Sequence, residues 1–190
     1  MRILILGPQG SGKGTQAKRI ADARGIAHVA TGDILRSAVA DGSELGRRVQ
    51  PILERGDLVP DELMIDLIRE RLDGEDGFVL DGFPRTLPQA EALAAVLAEI
   101  GKPLDIVILL QVSDDVASRR LHTRALAEGR ADDAPEAIRN RLRLYHKLTE
   151  PLIGRYREDG LVVAVGGEGG IDQVSADIDA ALVGTGVRSA

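Results

Sequence analysis

The residues best suited to chemistry in this 190-residue chain are cations grouped around glycine. Gly7, Gly10, Gly12 and Gly14 punctuate the stretch GPQGSGKGT, with Lys13 between the last two and Thr15 directly after them. Glycines at this density let the backbone curl with its N–H groups turned inward, and such a nest in front of a helix binds phosphate. Lys13 can reach outer phosphates as a mobile point charge, and Thr15 offers a hydroxyl at the mouth of the loop. A plain strand-to-helix turn with a solvated lysine would not explain four glycines so close together, because each costs conformational entropy on folding. The match to GxxxxGK[ST] departs at one place. Gly14 follows Lys13 and the hydroxyl comes one residue later, so magnesium is expected to be held differently from the usual loop.

A second group follows the apolar run Phe78-Val79-Leu80, where Asp81-Gly82-Phe83-Pro84-Arg85-Thr86 puts a carboxylate and an arginine at the carboxyl edge of a sheet. Ligands of open α/β sheets sit at that edge. Arg85, between Gly82 and the following helix, reads as a phosphate contact. Asp81 reads as a magnesium holder acting through water; Asp33 reads the same way, or simply as a helix cap. A third group lies further on: Arg120 and Arg124 are four apart and share a helix face, while Arg119 and Arg139 fall off the register and read as solvated charges. His28, His122 and His146 show no ligand spacing and are expected at the surface or its boundary. None of them sits where a general base would.

These residue types suit phosphoryl transfer. Its loose transition state spreads charge over equatorial oxygens, so positioned cations do most of the work. If the acceptor is itself a phosphate, no base is needed.

The elements that must hold these groups alternate. Ile3 to Leu6 is an unbroken apolar run, suited to a strand buried on both faces, and a helix is expected from Gln16 to Arg24. A short strand at His28 to Ala30 precedes a helix from Ile34 to Ala40 capped by Asp33; helices at Glu44 to Arg55 and Asp61 to Leu72 follow, suggesting a small lobe. Strands at Phe78 to Leu80, Ile106 to Val112 and Leu161 to Val165 alternate with helices at Leu87 to Ile100, after Ser113-Asp114, from Pro135 towards Tyr156, and at Ile171 to Leu182. The fold class is therefore α/β, a parallel sheet with right-handed crossovers, in one domain.

The net charge of −6 argues against a nucleic-acid partner. Positive charge must be concentrated locally, and 20 of the 24 basic residues are arginine, the side chain that grips phosphate with a planar fork. There is no cysteine, hence no disulfide and no thiolate nucleophile. Without a long apolar stretch or a signal-peptide pattern, a cytoplasmic protein with no membrane partner is expected.

GPQGSGKGT, ATGDILR at Ala30 to Arg36, DGFPRT, RLHTR at Arg120 to Arg124, GRADD at Gly129 to Asp133 and RNRL at Arg139 to Leu142 come in an order and spacing that resembles the adenylate kinases of the short-lid kind, over essentially the whole chain. The resemblance implies a P-loop nucleoside-phosphate kinase fold with a five-stranded parallel sheet. It implies a core of residues 1–29, 60–123 and 135–190, a monophosphate-binding segment of 30–59 and a lid of 124–134. Its activity would be reversible, magnesium-dependent transfer between ATP and AMP giving two ADP. Gly10, Ser11, Gly12, Lys13, Gly14 and Thr15 would hold ATP phosphates, Arg120 would lie against its adenine, Arg124 would reach its phosphates and Gly169 would contact it through the backbone. Thr31, Arg36, the backbone of Asp57, Leu58 and Val59, then Gly82, Phe83, Pro84, Arg85 and Gln89 would hold AMP, with Gln89 reading the base. Arg130 and Arg141 would close over the transferring group. The lid is too short, and lacks the cysteines, for the zinc site of some long-lid relatives, so no zinc is expected. A monomer is expected. A UMP/CMP kinase of the same fold is the near alternative, disfavoured by Thr31 and Thr86; a non-catalytic nucleotide switch is the distant one, and the NKxD element of a guanine-reading switch is absent.

Overall fold

The computed structural model describes residues 1–128 and 134–184. Five parallel strands form one sheet in the order β2-β3-β1-β4-β5: β1 Arg2–Leu6, β2 Ala27–Ala30, β3 Phe78–Asp81, β4 Ile106–Gln111 and β5 Val162–Gly166. β1 is central, and its side chains divide between two cores. Ile3 and Ile5 pack with Val79, Ile106 and Ile108 beneath helices α1 (Lys13–Arg24) and α9 (Ile171–Gly184), through Ala17, Ile20, Ile178 and Leu182. Leu4 and Leu6 pack on the opposite face with Leu80 and Leu109, beneath α2 (Thr31–Ala40), α3 (Glu44–Glu54), α4 (Asp61–Leu72), α5 (Leu87–Glu99) and α8 (Pro151–Glu158). Each fully buried Leu or Ile contributes about 1.5–3 kcal/mol. That burial is what fixes the carboxyl ends of β1, β2 and β3 as one platform, where Asp81 pairs in register with Ile5 on one side and Ala30 on the other.

Three local expectations are corrected. The first helix begins at Lys13 rather than Gln16, so the lysine and Thr15 belong to its opening turn. Asp33 does not cap α2: the chain passes straight from β2 into the helix, Ala30 takes the cap position without a side-chain bond, and Asp33 sits in the first turn, where a carboxylate meets the positive end of the helix. The long helix expected from Pro135 to Tyr156 is divided into α7 (Pro135–Leu144), a π-helical turn Tyr145–Thr149, and α8. Pro151 is the reason. It has no N–H and its ring crowds the carbonyl four residues back, so the ladder shifts register and the Glu150 N–H donates to Tyr145 O at 2.9 Å.

The remaining helix, α6 (Asp114–Glu128), backs the glycine loop. Gly10 has φ +85°, and a Cβ there would stand 2.4 Å from the Ala117 carbonyl oxygen. Only glycine allows the loop to press onto α6 this closely.

Candidate active site

A cleft of about 740 Å³ opens along the carboxyl edge of the sheet. At one end is the loop between β1 and α1. Gly10, Ser11, Gly12, Lys13, Gly14 and Thr15 all line it, and Lys13 Nζ donates to the carbonyl oxygens of Gly7 and Pro8 at 2.7 and 2.8 Å. The Ser11 Oγ is buried without a hydrogen-bond partner in the protein. Arg120, from α6, is pinned over this end: Nη1 donates to Gly167 O at 2.7 Å and to Ser11 O at 3.5 Å, and Nη2 donates to Glu168 O and Gly169 O at 3.2 and 3.4 Å. These four bonds join the glycine loop, α6 and the turn after β5 into one wall.

The other end is built by β3 and the segment after it. Thr31 is 1% exposed and donates its hydroxyl to Asp81 O at 3.2 Å. Gly82 has φ +85°, and a Cβ there would fall 2.6 Å from Thr31 Oγ1. A side chain at that position would separate the two elements. Arg85 Nε donates to Gly82 O at 2.7 Å, which folds the guanidinium back towards the cleft floor, and the Arg85 N–H donates to Gln89 Oε1 at 2.7 Å. Phe83 and Pro84 are buried behind them. Asp57, Leu58 and Val59 line the adjoining wall, with the Asp57 carboxylate held by Asn140 at 2.8 Å and by Arg55 at 2.8 Å. Those hydrogen bonds, from Arg55 and then from Asn140, lower the Asp57 carboxyl below the usual range. Arg36 pairs with Asp33, on the cleft's rim.

Between the two ends the cations converge. Lys13, Arg85, Arg124 and Arg141 all line the same space, and Arg141 is only 8% exposed. Burial lowers the Lys13 ammonium to about 8; Asp81 opposes the shift, and Arg85 and Arg124 add to it. Burial likewise lowers the Arg85 guanidinium to about 10, with Arg141 and Arg36 adding and Asp81 opposing. Four cations gathered in one cleft, with the charge of Lys13 and Arg85 disfavoured by burial and by their neighbours and only partly offset by Asp81, describe a site made for a polyanion. Asp81 is the carboxylate close to the loop: its Oδ2 lies 3.2 Å from the position a Cβ on Gly14 would take. Asp33 is instead committed to Arg36 and largely exposed. Gly169 reaches the cleft lining and Arg130 lies outside the described residues.

Arg139, read as solvated, pairs with Glu136 on the surface, and His146 lies exposed between Asp114 and Glu150. His28 is half-buried and lines the cleft. Three residues that sequence reasoning missed support the site from behind: Asn140, which ties α7 to Arg55 and Asp57; Asp61, which holds Gln89; and Thr149, which holds Arg85. Asn140 adjoins Arg141 within the RNRL string and could have been suspected there. Asp61 and Thr149 carry no sequence signal beyond a helix start and a residue near a proline.

Known proteins resemble the chain in sequence. A family model described as "Adenylate kinase" matches residues 5–161. Curated proteins named adenylate kinase resemble the chain along almost its whole length: one from Phenylobacterium zucineum is 49% identical, covering 97% of this chain and 98% of its own; one from Stenotrophomonas maltophilia is 45% identical, covering 97% and 100%. Another, from a Synechococcus strain, is 48% identical over 93% of this chain and 96% of its own. With the five-stranded parallel sheet, the glycine loop at its edge and the relatives' full-length match together, the chain belongs to the adenylate kinase family, and it is a phosphotransferase of the P-loop nucleoside-phosphate kinase fold.

Proposed function

We propose that the chain transfers the terminal phosphoryl group of ATP to AMP, reversibly, giving two ADP, and so balances the adenine nucleotide pool. The observation that carries this is the single cleft with Lys13 and the glycine loop at one end, Thr31, Arg85 and Gln89 at the other, and shared cations between. Two anionic ligands fit end to end in such a space, with the transferring group where the cations meet.

In this reading Gly10 to Thr15 cradle the donor phosphates by backbone N–H groups, Lys13 swings from the Gly7 and Pro8 carbonyls onto the transferring phosphoryl group, and Arg120 and the Gly169 backbone bound the donor base. Arg36 and Arg85 grip the acceptor phosphate. Thr31, Gly82, Gln89 and the stretch Asp57 to Val59 enclose its nucleoside. Arg124, Arg130 and Arg141 neutralise the charge that spreads over the equatorial oxygens, each such contact being worth about 3 kcal/mol. The acceptor oxygen is already anionic, so no side chain must remove a proton. Residues 30–59 act as the monophosphate-binding segment and 124–134 as the lid, closing on a core of 1–29, 60–123 and 135–190 and keeping water from the phosphoryl group.

Magnesium bound with ATP would supply charge neutralisation along the phosphates. The oxygen donors here suit it: Asp81, next to the opening turn of α1, and the Thr15 hydroxyl lie beside the loop, and Asp81, joined by Asp33 once Arg36 leaves it for the acceptor phosphate, would hold its waters. We take the protein to act as a cytoplasmic monomer; among the described residues no helix is long and apolar enough to cross a membrane.

The test is turnover with Mg-ATP on AMP, UMP, CMP and GMP in parallel, with Lys13→Ala as the blank and Arg85→Ala beside it. AMP-selective ADP formation, reduced by at least two orders of magnitude in both variants, is expected. No turnover on any acceptor, with ATP still bound, would overturn the reading.

A further inference from the structure

We propose that Asp61 is a positioning residue that fixes which way round the Gln89 carboxamide faces, and thereby which purine edge the acceptor site takes. The proposal rests on the reading of Gln89 as the side chain that meets the acceptor base. Asp61 is the first residue of α4 and sits behind Gln89, which is itself only 2% exposed. Its Oδ1 accepts from Gln89 Nε2 at 2.7 Å, and its Oδ2 accepts from Thr86 Oγ1 at 3.1 Å. Thr86 is thereby held as the cap of α5, where its Oγ1 accepts from the Gln89 N–H at 3.3 Å. On the other side of the amide, Gln89 Oε1 accepts from the Arg85 N–H at 2.7 Å.

The chemistry of the two neighbours allows one orientation only. A carboxylate has no hydrogen to give and a backbone N–H has no lone pair to offer. Turning the amide over would set Oε1 against Asp61 and the NH₂ group against the Arg85 N–H, two repulsions in place of two bonds. Gln89 is left with one N–H and one carbonyl lone pair uncommitted, in a fixed order.

That order matters because the two kinds of purine edge are opposites. Adenine presents an acceptor at N1 and a donor at its 6-amino group, whereas hypoxanthine and guanine present a donor at N1 and an acceptor at O6. With the acceptor phosphate gripped by Arg36 and Arg85, the base cannot slide to match a reversed amide, so a fixed amide selects a 6-amino purine. Rejection of the wrong edge comes from leaving a buried polar pair unmatched.

AMP and IMP differ only in the functional groups at this edge and are the probes of choice. We expect Asp61→Asn and Asp61→Ala to lower the ratio of kcat/KM for AMP to that for IMP by about tenfold or more. Because both substrates are measured on the same preparation, a misfolded fraction cancels from the ratio. Gln89→Ala is the control and should collapse the ratio by itself. An unchanged ratio in both Asp61 variants, including an equal fall on both substrates, with a collapsed ratio in Gln89→Ala, would overturn the role of Asp61 while leaving Gln89 as the reader. An unchanged ratio in Gln89→Ala would overturn the assignment of Gln89, and the proposal with it.

Discussion

Thr149 donates its hydroxyl to the carbonyl oxygen of Arg85 at 2.9 Å, across 64 positions of sequence. The contact exists because the π-helical turn Tyr145–Thr149 widens the helix by one residue and turns that hydroxyl inward, where Thr149 is only 7% exposed. Arg85 therefore has its backbone fixed at both ends, by Thr149 at the carbonyl and by Gln89 at the N–H.

Replacing Thr149 with valine keeps the shape and removes the hydroxyl. The Arg85 carbonyl is then left short of a partner, at a cost of about 1–2 kcal/mol in stability. The guanidinium loses its fixed base, so kcat for AMP phosphorylation should fall by about tenfold, while KM for ATP, which we assign to the other end of the cleft, should stay near the wild-type value. Equal losses in both constants would mean that Thr149 supports the fold and not the position of Arg85. Steady-state kinetics with each substrate varied in turn makes the distinction.

His146 bridges the start of α6 and the start of α8, with Nε2 3.0 Å from Asp114 Oδ1 and Nδ1 2.8 Å from Glu150 Oε2. The hydrogen bond to Glu150, followed by that to Asp114, raises the imidazole above its usual value of 6.5. A raised histidine stabilises the folded state fully below 6.5, and that contribution is lost as pH rises through the folded-state value. The side chain is 45% exposed, so solvent screening keeps the contribution to about 0.5 kcal/mol. Thermal melts of His146→Gln should therefore show a larger loss in Tm at pH 5.5 than at pH 8.5. A loss that is the same at both would show that packing, not charge, is what the residue provides.

Much of this site was legible in the sequence because its residues sit in local strings whose mechanism is local. A glycine loop between a strand and a helix declares a phosphate nest, and DGFPRT puts Asp81 and Arg85 on the sheet edge because β3 ends there. The sheet was readable for a similar reason: Ile3 to Leu6 and Ile106 to Leu110 are apolar on both faces, as central parallel strands must be. What escaped were relations between distant residues. No periodicity tells that Asp61 faces Gln89 or that Asn140 reaches the Arg55 carbonyl, since an acidic residue in the first turn of α4 already makes sense as a partner for the helix dipole. The π-helical turn was missed because the apolar spacing of α7 and α8 taken together still reads as one helix; only the reach of Pro151 back to the preceding turn betrays the break.

Lys13 is expected to weaken the fold that it serves. Its ammonium titrates near 8 in the folded protein against 10.5 for an ordinary lysine, chiefly because burial among cations disfavours the charge. Below 8 the lysine is charged in both states and the folded state bears the whole penalty. Between 8 and 10.5 the unfolded chain binds a proton that the folded one has released, so stability contributed by this residue rises with pH across that window. Lys13→Met should therefore raise the Tm of the nucleotide-free protein at pH 7, by the equivalent of about 1–2 kcal/mol once partial solvent exposure and the lost bonds to Gly7 and Pro8 are allowed for, and the gain should shrink by pH 9.5. Activity moves the other way, because the same charge that strains the empty cleft is what a phosphate neutralises. Nucleotide binding should draw the Lys13 pKa back up, so above pH 8 binding takes up a proton, readable by calorimetry in two buffers of different ionisation enthalpy. No gain in Tm at pH 7, or a gain that grows by pH 9.5, would show that Lys13 is held by its carbonyl partners and not strained by its neighbours.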